Sequence, residues 1–198
     1  MNNFRLTSLL TSNMDIDAEQ LDGLIESCQS KTVAKGEYLL SPGEICRYSF
    51  FVEKGLLRQF GIDERGKEHI LQFGPENWFV TDRESAYFNQ PAVYFIQALE
   101  DSKVLLIDEN FLLRLSDLIP SFTGFNNKLL HNHIRQLNKR IYQLLSATAE
   151  ERYLDFIKMY PDVLLRIPQS MAASYLGITP ESLSRVRKEL AHRHKKAS

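Results

Sequence analysis

Between Lys31 and Ile107 the chain is a series of short runs rich in β-branched and aromatic residues, each closed by turn residues; beyond Ile107 the pattern turns helical. The runs are KTVA before Lys35-Gly36, YLLS before Pro42-Gly43, YSFFVE before Lys54-Gly55, LLRQFGI before DERG and HILQF before Gly74-Pro75. After a less regular stretch come VYFIQAL and KVLLI. Turn punctuation at this density leaves no room for crossover helices, so parallel βαβ units are excluded and an antiparallel roll or barrel of seven or so strands is expected. Such a roll is expected to enclose a space.

The flanks read as helices. Residues 15–30 place Ile16, Leu21, Leu24, Ile25 and Cys28 at mixed three- and four-residue spacings behind an Asp cap, the mark of a short amphipathic helix. Asp108 caps a second helix, which Pro120 stops because proline cannot donate to the ladder. A longer helix over 121–147 would run roughly 40 Å. On it Leu130, Ile134, Leu137, Ile141 and Leu144 fall at spacings of 4, 3, 4 and 3, a heptad seam with Arg135, Lys139 and Arg140 off it; the seam suits a homodimer. Packing of that helix on its own β-roll is the alternative. A further amphipathic helix, AEERYLDFIKMY, ends at Pro161-Asp162.

Ile167 to Leu190, IPQSMAASYLGITPESLSRVRKEL, carries the most specific pattern. Small Ala172 and Ala173 allow close approach of another helix, with Met171, Tyr175 and Leu176 facing inward. Gly177 suits a left-handed turn, and Ile178 plugs the corner. Thr179 caps a second helix with Pro180 at its first position, and Leu183, Val186 and Leu190 form its buried stripe. This spacing predicts a helix-turn-helix. The opposite face displays Glu181, Ser182, Arg185 and Lys188, flanked by Arg187. Arg can fork onto guanine O6 and N7, Glu can accept from cytosine N4, and Ser or Lys can hold phosphates, so the face suits the major groove of double-stranded DNA.

Charge is distributed in the same sense. Residues 166–198 carry seven Lys and Arg against two Glu, a surplus of five, while the whole chain is −1 and the remainder therefore −6. A basic end on an acidic body is what a chain needs if only that end meets a phosphate backbone.

The tail resembles the helix-turn-helix of the Crp/Fnr regulators, the cyclic-AMP receptor protein family, and KGEYLLSPGE followed by FFVEKGLLRQF resembles that family's first β-roll strands. The resemblance covers nearly the whole chain. It implies an α+β fold: an N-terminal antiparallel β-roll (a cyclic-nucleotide-binding-like jelly roll) over 1–119, a dimerisation helix over 120–147 and a C-terminal, winged-helix-like helix-turn-helix domain over 148–198. It also implies a homodimer whose recognition helices enter successive major grooves, with Glu181 and Arg185 at base-reading positions. Pro180 stands where the cyclic-AMP receptor has a further base-reading Arg, so the operator does not carry over. Only a short stretch follows the recognition helix, leaving little room for a wing hairpin; HRHKKAS is expected to be a frayed, phosphate-touching tail.

Cyclic-AMP-binding members carry a Gly-Glu pair for the ribose and an Arg-Ser pair for the cyclic phosphate. Here Thr81-Asp82 and Ala92-Val93 stand in those places. A buried phosphate without a cation is costly, so an effector, if there is one, is expected to be a small molecule other than a cyclic nucleotide, with Asp82 and Arg83 as candidate pocket residues. Arg83 is the nearby cation, read as part of a strand. Trp78, Phe79, Tyr87, Phe88, Tyr94 and Phe95 are expected to fill the roll. No cofactor is implied: Cys28 and Cys46 are too few for a four-thiolate cluster, His131 and His133 diverge on a helix, and His69 reads as a strand-surface residue. A cupin-like metalloenzyme would need clustered histidines, and 31–107 holds one. With no signal-peptide pattern in residues 1–10 and no apolar run long enough to span a bilayer, a cytoplasmic protein without membrane contact is expected. The competing reading is a ligand-binding or protein-interaction module without DNA binding.

Overall fold

The computed structural model describes the backbone of residues 4–197 and their side chains, apart from Gln20 and residues 194–197. Helices α1 (Arg5–Thr11) and α2 (Ala18–Glu26) lead into strands β1 (Gln29–Val33), β2 (Tyr38–Leu40), β3 (Ser49–Lys54), β4 (Leu57–Ile62), β5 (Glu68–Gly74) and β6 (Phe79–Val80). Helix α3 (Arg83–Phe88) interrupts the series before β7 (Phe95–Ala98) and β8 (Ser102–Ile107). Helices α4 (Glu109–Leu118), α5 (Phe122–Ser146), α6 (Ala149–Met159), α7 (Gln169–Leu176) and α8 (Pro180–Ala197) follow, with a 3-10 turn at Val163–Leu165.

The strands form two antiparallel sheets, ordered β1-β8-β3-β6 and β2-β7-β4-β5. The central strands β3 and β4 are buried along most of their length; β3 carries apolar residues on both faces, whereas β4 also buries Arg58, held by Gln97 and Glu68, and Gln59, which donates to Thr81 O. Between the sheets Val33, Leu40, Phe50, Val52, Leu57, Val80, Ile96, Ala98 and Val104 close up into one apolar core. The expected enclosed space is thus filled by side chains; the large cavity, about 1130 Å³, lies outside the roll, between it and α5.

A second core joins the helices to the outer face of the first sheet: Leu6, Leu10, Leu21 and Ile25 pack with Phe51, Leu105, Phe111, Leu115 and Phe122. The α2 helix is shorter than the 15–30 expectation. Asp17 caps it by accepting from Glu19 N, but from Gln29 onward the backbone is drawn into the ladder with β8. Asp108 caps α4 by accepting from Phe111 N, and Ile119 before Pro120 leaves the helical region, as expected for the residue preceding proline.

The aromatic stretch departs from expectation in two ways. Residues 83–88 are helical, not strand, because Asp82 supplies an N-cap (Oδ1 accepting from Ser85 N at 3.1 Å) and Asn89 closes the segment in the left-handed region. The helix turns Tyr87 and Phe88 outward, 85% and 65% exposed, so these two rings do not fill the roll. Phe79 packs instead with the helices on the outer face of the first sheet, and Trp78 and Phe95 with the core shared by the β4–β5 hairpin and the C-terminal helices, so none of the three lies in the core between the sheets.

Candidate nucleic-acid interface

The last two helices are set by local chemistry. Gly177 ends α7 at φ 65°, ψ 36°, in the left-handed region, where a side chain would be strained. Its N–H donates to Ser174 O, and Ile178 N donates to Ala173 O, satisfying carbonyls left open at the helix end. Thr179 Oγ1 accepts from Ser182 N at 3.2 Å and Pro180 opens α8. Gln169 Nε2 donates to Pro180 O at 3.1 Å, tying the start of α7 to the start of α8. Ala172, Ala173, Leu176, Leu183 and Val186 are buried between these helices and α6.

Burial on one side of α8 leaves the other side in solvent. Glu181, Arg185, Arg187 and Lys188 are exposed and Ser182 is half-buried; positions 181, 182, 185 and 188 lie along one face. Among the described residues none of Arg185, Arg187 and Lys188 enters an ion pair. The Glu181 carboxyl is held below its ordinary range by its own backbone N–H and the Thr179 hydroxyl. It is an anion at the helix N-terminus, where the dipole favours negative charge. The helix runs on to Ala197, so HRHKK is not a frayed tail; Arg193 pairs with Glu150 at the start of α6 and fixes that end. The side chains of His194, Lys195 and Lys196 lie outside the described residues.

Not all of the basic surplus faces outward. The Arg166 guanidinium bridges Glu76 and Glu100 of the roll, with Nη1 to Glu76 Oε2 at 2.9 Å and Nε to Glu100 Oε2 at 3.2 Å. Arg140 donates to the carbonyls of Ile70, Leu71 and Tyr175 and stacks 3.9 Å from the Tyr175 ring centre. On the open edge of β5, Ile70 N donates to Ser174 Oγ at 3.1 Å while Ser174 Oγ donates to Glu68 O at 2.9 Å, so α7 supplies what a further strand would have supplied. Phe73 of β5 sits within 6.0 Å of the Phe156, Tyr160 and Tyr175 rings. The helix-turn-helix is thereby docked on the β4–β5 hairpin. Sequence reading missed Arg140, Arg166 and Ser174 in this role, and no local signal marks them, since their partners lie 35 to 106 positions away.

Comparison with known proteins bears on this arrangement. The cyclic nucleotide-binding domain family model matches residues 30–117. Electron transport regulator A of Shewanella oneidensis is 29% identical over 182 residues, covering 86% of this chain and 71% of that protein. The fumarate and nitrate reduction regulatory protein of Vibrio cholerae is 28% identical over 181 residues, with the same coverage of 86% and 71%. The fold recurs in a CooA variant from Carboxydothermus hydrogenoformans, at TM-score 0.70 and 18% identity over 98% of this chain and 86% of that one. It recurs again in a Crp/Fnr-family regulator from Eubacterium rectale, at TM-score 0.64, 18% identity and 98% and 89% coverage. Over most of its length the chain is thus similar to regulatory proteins of the Crp/Fnr type, in sequence and in fold.

The groups of Thr81-Asp82 and Ala92, which the resemblance sets in place of a phosphate cassette, are engaged within the chain. Thr81 Oγ1 donates to Tyr48 O. Asp82 is 3% exposed, with Oδ1 used as the α3 cap and Oδ2 unpaired among the described residues. Ala92 is buried, its N–H donating to Glu44 O and its carbonyl accepting from Gly43 N. Arg83 lies apart from that backbone, exposed on the rim of the outer groove, with no carboxylate partner among the described residues. The structure therefore does not bring Asp82 and Arg83 into one pocket: the first lies inside α3's cap and the second lines the groove. His133 lines the same groove; burial, then the Arg83 charge, push its pKa below the ordinary histidine value.

Along α5, Leu130, Ile134, Leu137, Ile141 and Leu144 are 37 to 56% exposed. The apolar stripe is thus not consumed by packing on the chain's own roll, and Leu130, Leu137 and Leu144 line the groove. Among the described residues no helix is long and apolar enough to cross a membrane.

Proposed function

We propose that the chain acts as a homodimer on double-stranded DNA, with α8 as the recognition helix and Glu181, Ser182, Arg185 and Lys188 facing base edges and phosphates while Thr179 and Arg187 contact the backbone. The carrying observation is that this face is exposed, free of internal ion pairs among the described basic residues, and mounted on a helix fixed at both ends by Thr179 and by Arg193–Glu150. Two heptads on α5 supply the seam between copies, which divides the chain into a sensor over 1–119, a dimerisation helix over 120–147 and a DNA-binding domain over 148–198. A change in how the two α5 helices pair would re-aim both α8 helices together, because α7 and α8 are docked on the roll by Arg140, Arg166 and Ser174.

The effector is a small molecule other than cyclic AMP. Ala92 offers a methyl group and Asp82 a carboxylate, and neither supplies the cation that a buried phosphate needs. The names of the relatives place those proteins in electron transport and in fumarate and nitrate reduction; a cluster held by four thiolates does not carry over to a chain with two cysteines. Burial pushes the Cys28 thiol up to about 12, away from the range of a reactive thiolate, and Cys46 is buried with its Sγ donating to Tyr48 O.

The test is fluorescence anisotropy with a labelled duplex pool over a range of salt. The wild type is expected to bind with a steep salt dependence. Lys188→Ala should lower the slope of log K against log salt by about 0.9, one phosphate contact, and Arg185→Ala should remove sequence preference. Binding of wild type and both variants with equal affinity and slope would contradict the reading and favour a module that does not use this face on DNA.

A further inference from the structure

The groove between the roll and α5 has a second apolar border that the helix-turn-helix reading does not use. Helix α3 is short but firmly placed: Asp82 caps its start, Ser85 is buried with its Oγ accepting from Cys46 N at 2.9 Å, and Asn89 closes it at φ 52°. A segment held this rigidly nevertheless ends on two large rings in solvent. Tyr87 and Phe88 pack edge to face, 5.2 Å between centres, and both are more exposed than any residue of the α5 seam. Exposed aromatic area of this kind, on a fixed frame, marks a contact surface.

Its position says which contact. Arg83, Ala86 and Tyr87 line the same groove as Leu130, His133 and Leu137 of α5, so a helix laid on the α5 seam would have the tip of α3 beside it. The chemistry of α5 matches. From Phe122 to Ser146 it contains no carboxylate, and Lys128 and Arg135 are exposed without an acidic partner among the described residues. A second copy of α5 therefore presents a cationic flank next to its apolar seam, and the π faces of Tyr87 and Phe88 can take a cation where this helix has no acid to offer.

We propose that the Tyr87–Phe88 tip of α3 is part of the homodimer contact, seated against α5 of a second copy. The inference rests on the dimeric reading above and adds to it that α3, beside the groove, is itself clamped by the partner. A ligand that moves α3 would thus act on the pairing of the α5 helices directly.

Sedimentation velocity across a concentration series tests it, using Tyr87→Ser/Phe88→Ser, the single variant Phe88→Gln, the conservative Tyr87→Phe, and Leu137→Asp as a seam control, with circular dichroism to confirm folding. The double variant is expected to weaken the dimer by at least about tenfold in Kd, as loss of an aromatic anchor does; Phe88→Gln should fall between it and the wild type, and Tyr87→Phe should match the wild type. A double variant that dimerises like the wild type while Leu137→Asp dissociates would overturn this inference and leave the seam standing. A wild type that stays monomeric throughout would overturn both.

Discussion

Replacing Arg166 with alanine should loosen the helix-turn-helix from the roll, and the size of the effect follows from the contacts. The guanidinium donates two hydrogen bonds to each of Glu76 and Glu100, and the three side chains are 21%, 26% and 38% exposed. Breaking one partner out of a fully buried pair costs about 3–5 kcal/mol, whereas an exposed pair is worth about 0–1 kcal/mol. A bridge exposed by a fifth to two fifths lies between, at about 2 kcal/mol, and the loss also leaves two carboxylates facing each other. Each 1.4 kcal/mol is tenfold in an equilibrium, so opening of the interface becomes about thirtyfold more frequent. The amide of Ile70 reports it, because its hydrogen bond to Ser174 Oγ exists only while α7 is docked. Native-state hydrogen exchange at Ile70 should accelerate about thirtyfold in Arg166→Ala. Arg166→Lys should not restore protection, since a single ammonium cannot span both carboxylates. The pH dependence has a definite sign. Burial pushes the Glu76 carboxyl up, but Arg166 together with the backbone N–H groups of Glu76 and Gly55 outweighs it and holds the group below the ordinary glutamate value of 4.5. A depressed folded-state pKa stabilises above the unfolded value and is lost as pH falls through the folded one. The difference between wild type and Arg166→Ala should therefore be full at neutral pH and shrink below about pH 4.5. Unchanged Ile70 exchange in Arg166→Ala at pH 7 would refute the docking role.

Three further outcomes follow from single positions. Gly177→Ala forces a side chain into the left-handed region and sets a Cβ 3.1 Å from Leu144 Cδ2; a loss of about 1–2 kcal/mol is expected, read as a lowered melting temperature, and a melting temperature equal to wild type would show the turn to be unstrained. Isothermal titration with cyclic AMP should give no saturable heat, and binding at micromolar concentration would overturn the account of Thr81-Asp82 and Ala92-Val93. Thr179→Ala removes the α8 cap and should cost about 1 kcal/mol, with exchange rising first at the amide of Ser182.

What could be read along the chain was what local chemistry determines. The turn at Gly177, the cap at Thr179 and proline at 180 define the helix-turn-helix within a dozen residues, and Lys-Gly, Pro-Gly and DERG turns mark the strands. The two-residue β6 and the short α1 and α3 lack that support: α1 has no side-chain cap, and α3 owes its form to Asp82 and to the buried Ser85–Cys46 contact 39 positions away. Docking of α7 on β5 was illegible for the same reason, since Ser174, Arg140 and Arg166 look like ordinary polar surface residues until the fold brings β5 beneath them. The roll was expected to be filled by the aromatic stretch and is filled by Phe50 and by aliphatic residues such as Val52, Leu57 and Ile96, because strand pattern fixes which residues point inward but not which of them meet.

The central claim is that α8 reads DNA in a two-fold symmetric dimer. The most direct test is selection of bound sequences from random duplex DNA by the full chain, repeated with Arg185→Ala. The account predicts enrichment of an inverted repeat whose half-sites are about one helical turn apart and loss of that enrichment in the variant; enrichment of an unrepeated site, or of the same repeat by Arg185→Ala, would contradict it.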